Sequence, residues 1–107
     1  MKNVNDAPRE LGHQALDRLI HEPARLVLVS NLFVVDEADF VFLSRQTGLT
    51  AGNISSHMTK LEAAGYVVID KTIVGKRPRT TYALTAEGRS AFEAYRRQVE
   101  GLFADSG

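Results

Sequence analysis

The sequence predicts a mainly α-helical chain with one small β-hairpin, an α+β fold, on three observations. Apolar residues recur at spacings of three and four along most of its length. β-Branched and aromatic residues crowd into two short runs, Tyr66 to Val74 and Thr80 to Leu84. Acidic, glycine or proline punctuation separates the segments. With 107 residues, 44% of them apolar, the chain has room for one core and not for two domains.

Each element follows from its local signals. The first ten residues are polar and aperiodic, which predicts a flexible N-terminal arm followed by a single domain over residues 11–107. Leu11, Ala15, Leu16, Leu19 and Ile20 fall on one face of a first helix ending near His21. Pro23 suits the first turn of a second helix, which continues to about Val34. The acidic stretch Asp36 to Asp39 breaks the pattern, and Asp39 can cap a third helix, Phe40 to Thr47, stopped by Gly48. Thr50 is placed to cap a fourth helix ending near Ala64 and Gly65, with Ile54, Met58 and Leu61 as its inward stripe. The two β-rich runs then form a hairpin with a five-residue tip, Gly75 to Arg79. Thr85 opens a last helix, about residues 85–104. Its stripe of Phe92, Tyr95, Val99, Leu102 and Phe103 is longer than a core of this size needs. That stripe, with Leu11, Leu16 and Leu19 of the first helix, is expected to bury against a second copy in a homodimer.

Composition excludes several functions. There is no cysteine, so thiolate metal sites, disulfides and cysteine nucleophiles are absent, in keeping with a reducing cytoplasm. No apolar run exceeds four residues, which gives neither a signal segment nor a spanning helix. His13, His21 and His57 lack metal-ligand spacing, and no catalytic triad order or phosphate-cradling glycine loop is present; the expectation is no enzyme, no metal and no cofactor.

The 13 basic and 13 acidic residues cancel, but not locally. Gly48 to Tyr82 holds five basic residues and two acidic ones, a net of +3, against −3 for the remainder. This is a local footprint for an anionic partner.

The element order, a helix, a tight turn, a second helix and then a basic hairpin, is that of a winged helix-turn-helix. An α-helix fits the major groove of duplex DNA and reads base edges from its N-terminal half. On the fourth helix Thr50, Gly52, Asn53, Ser55, Ser56, His57 and Lys60 lie away from the inward stripe or flank it. Thr50 to Thr59 contains no acid, unlike an ordinary solvated face, and its small neutral groups suit base contact while Lys60 suits phosphate. Gly52, a poor helix former in the first turn, implies a close approach to the backbone. At the hairpin tip Lys76, Arg77 and Arg79 surround Pro78, a stiffened cationic loop suited to the backbone or a minor groove.

Thr50 to Val67, with its Ser-x-His-Met and Leu-x-x-x-Gly-Tyr-Val order, resembles the recognition helix of the MarR and ArsR-type winged-helix regulators. Leu84-Thr85-Ala86-Glu87-Gly88 resembles the short signature opening the last helix of the MarR group, and the pattern from Leu16 to Tyr95 resembles compact stand-alone winged-helix domains. The resemblance implies a dimeric transcriptional regulator. The chain departs from ArsR-type sensors in lacking their usual thiolates and from MarR proteins in its shorter N-terminal helix.

Together these readings predict a cytoplasmic homodimer that binds double-stranded DNA at an inverted-repeat operator as a repressor, without a membrane role. A small-molecule effector is compatible with the sequence, which identifies none. The alternative is a winged-helix protein-interaction module without DNA binding, for which exposed Ile73 and Val74 would be the contact. An enzyme built on the Asp36 to Asp39 loop would need a convergent pocket of perturbed carboxylates.

Overall fold

The computed structural model describes residues 16–104. Helix α1 spans Pro23–Val34, strand β1 Ala38–Asp39, helix α2 Phe40–Thr47, helix α3 Ala51–Ala63, strand β2 Val67–Val74, strand β3 Arg77–Leu84 and helix α4 Ala86–Ala104. The antiparallel sheet has the order β1-β3-β2. This is the winged-helix fold that the element order predicts.

Helix starts follow the cap chemistry. Pro23 sits at the start of α1, where its missing N–H costs nothing, and the Glu22 carboxylate accepts from the Arg25 N–H at 2.8 Å. Asp39 Oδ1 accepts from Phe42 N at 2.8 Å, and Thr50 Oγ1 from Asn53 N at 3.2 Å, as their positions before α2 and α3 predict. The inward stripe of α3, Ile54, Met58 and Leu61, is fully buried against Leu28, Val29 and Leu32 of α1, Leu43 of α2 and Val67 of β2. Each such side chain contributes about 1.5 to 3 kcal/mol on leaving water.

Three expectations are corrected. The expected first helix does not extend over Leu16 to His21, which form a turn: Asp17 Oδ1 accepts from Leu19 N at 2.9 Å and Ile20 N at 3.2 Å, a local bonding pattern that competes with helix continuation. Leu11 to Ala15, and the arm expected over residues 1–10, lie outside the described residues. The hairpin tip is two residues, Gly75 and Lys76, because β3 begins at Arg77. Positive φ at Gly75 (66°) alone of the pair matches a type II′ turn, which suits the strand twist. Pro78 is tolerated inside β3 because it lies beyond the end of β1, where its missing N–H meets a free edge. The acidic break holds β1, whose Ala38 pairs with Tyr82 and Asp39 with Thr81.

Leu16, Phe92 and Tyr95, expected at a subunit contact, are 8%, 6% and 5% exposed within the single chain. Leu19 and Val99 pack partly buried against the same core. Phe92 meets Phe33 of α1 with ring centroids 4.9 Å apart, and the Tyr95 hydroxyl lies 2.7 Å from His21 Nδ1. Arg89 covers the Phe33 ring and donates to its carbonyl at 3.2 Å, satisfying an acceptor in the last turn of α1.

The start of α4 is fastened to the turn after α3. Thr85 N donates to Tyr66 O at 3.0 Å, Thr85 Oγ1 donates to Gly65 O at 2.6 Å, and the same oxygen accepts from Gly88 N at 2.9 Å. A Cβ on Gly88 would lie 2.1 Å from Tyr66 O, so only glycine fits this crossing. Gly88→Ala should therefore destabilise the fold by about 3 kcal/mol, an overpacking cost against backbone, read as a lowered urea midpoint. A loss under about 1 kcal/mol would contradict the crossing.

Tyr66 also ties this turn to the N-terminal segment, its hydroxyl donating to Asp17 Oδ2 at 2.5 Å. That bond, with burial, raises the phenol from 10.0 to about 12, since a phenolate would face the carboxylate. The stabilisation is complete below pH 10 and is lost as pH rises toward 12. Tyr66→Phe should cost about 1 to 2 kcal/mol at pH 7, with the gap to wild type closing above pH 10. A gap constant across that range would show that the bond to Asp17 does not hold the phenol protonated in the folded state.

Candidate nucleic-acid interface

The sequence of α3 divides it into two faces. With Ile54, Met58 and Leu61 turned inward, Gly52, Asn53, Ser55, Ser56 and Lys60 are exposed, as is the cap residue Thr50. Nothing lies within 4 Å of where a Cβ on Gly52 would stand, so that stretch of helix is open to an approaching surface. Thr59 is folded back, its hydroxyl donating to Ser55 O at 2.9 Å.

His57 is placed differently from its neighbours. It is half-buried, with Nδ1 3.1 Å from Arg25 Nη1, and Arg25 is itself held by donation from Nε to Leu19 O at 2.6 Å. Nδ1 thus serves as the acceptor and ties α3 to the start of α1. Glu22 Oε1 lies 4.0 Å from the same nitrogen. The Arg25 N–H holds the Glu22 carboxyl below its ordinary range, with help from the nearby Arg25 charge and against its partial desolvation.

The hairpin distributes its cations by register. Ile69 pairs with Tyr82, Lys71 with Thr80 and Ile73 with Pro78, so these residues share the sheet face that carries buried Tyr82. Thr72 opposite Arg79 and Val74 opposite Arg77 occupy the other face. The cationic cluster is therefore split: Arg77 and Arg79 on one face, Lys71 on the other, Lys76 at the turn. All four are exposed. Asp39, opposite Thr81, is the diagonal neighbour of Arg79, and its Oδ2 lies 3.6 Å from Arg79 Nη2. Half-exposed, this ion pair adds little stability.

Between α3 and the hairpin runs an open cleft of about 420 Å³. Ala51 and Ser55 of α3, Phe40 and Val41 of α2, and Lys71, Pro78, Arg79 and Thr80 of the hairpin line it. The structure thus brings Ser55 and Arg79 to one cleft, while Asn53, Ser56 and Lys60 stand on the exposed face of the same helix and His57 is directed to α1. Lys71, Thr80 and Asp39, none of them among the contacts that the sequence singles out, also line the cleft. Alternation from the Tyr82 pair would have placed Lys71 and Thr80; the two-residue β1 that brings in Asp39 is too short to show a period. Among the described residues no cluster of metal ligands and no helix long and apolar enough to cross a membrane is present.

A protein-family model for the winged helix DNA-binding domain matches residues 24–103. The chain belongs to this family. An uncharacterized protein of Methanocaldococcus jannaschii is 30% identical over 78 residues, 73% of this chain and 85% of that protein. The solved structure of a transcriptional regulator homologue from Pyrococcus horikoshii is similar at a TM-score of 0.81 and 26% identity, covering 91% of this chain and 96% of that one. A MarR-family transcriptional regulator of Enterococcus faecalis shares the fold at a TM-score of 0.69 and 22% identity, covering 99% and 94%. The chain is thus a winged helix DNA-binding domain by family, and it shares its fold with solved transcriptional regulators.

Asp39 has two roles that substitution separates. Asp39→Ala should cost about 1 kcal/mol through loss of the α2 cap, whereas Asp39→Asn, which caps as well but carries no charge, should cost only a few tenths. Equal losses in chemical denaturation would transfer the effect to the Arg79 pair.

Proposed function

We propose that the protein is a cytoplasmic homodimeric repressor that binds an inverted-repeat operator. In this reading α3 enters the major groove, with Thr50, Gly52, Asn53, Ser55 and Ser56 at or near base edges and Lys60 at phosphate. The hairpin, through Lys76, Arg77 and Arg79, follows the flanking backbone or minor groove. The observation that carries the reading is the acid-free outer face of α3 from Thr50 to Thr59 beside a hairpin with four exposed cations, the two bordering a common cleft. Neutral hydrogen-bonding groups select among bases while the cations supply affinity for any sequence.

The dimer is supported by the end of α4, where Phe103 is 74% exposed beyond the part of the helix that packs on the core. Phe92 and Tyr95 contribute to the monomer core in this arrangement, and Val99, Leu102 and Phe103 supply the contact. A two-fold pair would present two copies of α3 roughly 34 Å apart, one turn of duplex. Occupying an operator in this way represses by excluding other proteins from the same DNA.

Operator fragments selected from the source genome test the reading. With about four phosphates neutralised per subunit, log affinity against log salt should fall with a slope near −7. Arg77→Ala with Arg79→Ala should weaken binding to every duplex about equally, whereas Asn53→Ala or Ser56→Ala should relax preference at one or two base pairs. A slope near zero, or a uniform loss across base positions for the α3 substitutions, would sink the assignment. Sedimentation at twice the chain mass of 11.8 kDa, lost in Phe103→Glu, is the expected signature of the dimer.

A further inference from the structure

Two cations border the cleft beside α3: Arg79, already opposed by Asp39, and Lys71, which nothing in the tip cluster accounts for. Its register partner is Thr80, on the same face as Tyr82, and the two side chains line the cleft opposite Ser55. Asp70, its neighbour in sequence, pairs with Thr81 on the other face. The one carboxylate lining this cleft is Asp39, which lies 3.6 Å from Arg79 and caps α2 through its second oxygen. Among the described residues no ion pair engages Lys71.

A lysine beside two hydroxyls, on a wall whose single acid already faces an arginine, offers one strong point charge with two short hydrogen-bond donors. That set suits a tetrahedral monoanion carrying ester substituents, and the open sides of the cleft leave room for a chain to enter and leave. Apolar Pro78, Val41, Ala51 and Phe40 also line the cleft and can take the sugar edges on either side.

We propose that the cleft between α3 and the hairpin seats one phosphodiester of the DNA backbone per subunit, held by Lys71 with Ser55 and Thr80. This rests on the DNA-binding reading above and deepens it. It assigns Ser55 to phosphate rather than to a base edge, and it places a fixed backbone contact between the groove-reading helix and the cationic wing. The seat would set how far α3 enters the groove, since helix and strand grip the same strand of DNA from two sides.

The test combines Lys71→Gln with duplexes bearing a single neutral methylphosphonate at each backbone position in turn. Lys71→Gln should flatten the salt slope by about 0.9 per subunit, and Lys71→Arg should restore most of it. Arg97→Gln, the same charge loss on exposed α4, should leave the slope unchanged. At one phosphate in each half-site the neutral substitution should weaken the wild type about tenfold and Lys71→Gln hardly at all. A flattened slope without any such position would mean that Lys71 acts only through the general field, or that a free phosphate ester occupies the cleft, and either overturns the seat. An unchanged slope overturns it as well. Should the wild type bind no duplex while remaining folded by circular dichroism, the DNA-binding reading fails and the seat falls with it; binding by the wild type with no response at Lys71 removes the seat alone.

Discussion

The two carbonyls at the turn after α3 hold the molecule's working parts together. Gly65 O and Tyr66 O both accept from Thr85, by side chain and backbone respectively, at the point where β3 ends and α4 begins. Helix α3, both ends of the hairpin and the last helix therefore meet within a few residues. Gly88 lets α4 cross against Tyr66, and the Tyr66 hydroxyl carries the connection to Asp17. These bonds act together with the core that Ile54, Met58 and Leu61 of α3 share with Val67 and Tyr82 of the hairpin. That matters because a helix and a wing can address one duplex only at a set angle. The Leu-Thr-x-x-Gly signature thus has a mechanical meaning: threonine caps one helix while holding the end of another, and glycine clears the space.

How much of this was legible depends on the range of the interaction. Caps at Asp39, Thr50 and Thr85 act over three residues, and the sequence located all three, together with α1 to α4 and the buried stripe of α3. Signals that compete at short range were misread. Leu16, Leu19 and Ile20 have helical spacing, yet the Asp17 carboxylate captures the amides of Leu19 and Ile20, and Pro23 starts a fresh helix two residues after His21. Pro78 reads as a loop residue, but β3 accommodates it because β1 covers only Thr81 and Tyr82. Strand β1 is two residues of long-range pairing and leaves no period to detect.

The site was legible as a list of residue types and not as an arrangement. The outer face of α3 followed from its wheel, and the positive charge of the hairpin from a count. Which cation faces which way follows only from register, and register needed the length of the tip. A five-residue tip would have grouped Arg77, Pro78 and Arg79 in a loop; the two-residue turn instead assigns Arg77 and Arg79 to one face and Lys71 to the other. His57 shows the same limit. Its neighbours Ser55 and Ser56 are exposed, while His57 accepts from an arginine 32 residues earlier that no local pattern connects to it.

The distribution of charge also separates affinity from selection within a small molecule. Helix α3 carries its only cation, Lys60, near its C-terminal end, where a lysine also complements the helix dipole, so the half proposed to face the groove stays neutral. An arginine in that half would strengthen binding to every sequence and blunt discrimination, because its attraction to phosphate is long-ranged and its hydrogen bonding to bases is short-ranged. Cations at the hairpin instead act from outside the groove, and Asp39 offsets one of them in the free protein. In the proposed reading, a chain whose formal charges sum to zero can in this way hold a duplex without adhering to every polyanion it meets: net positive charge is concentrated at one edge, and base choice is left to groups that have no field of their own.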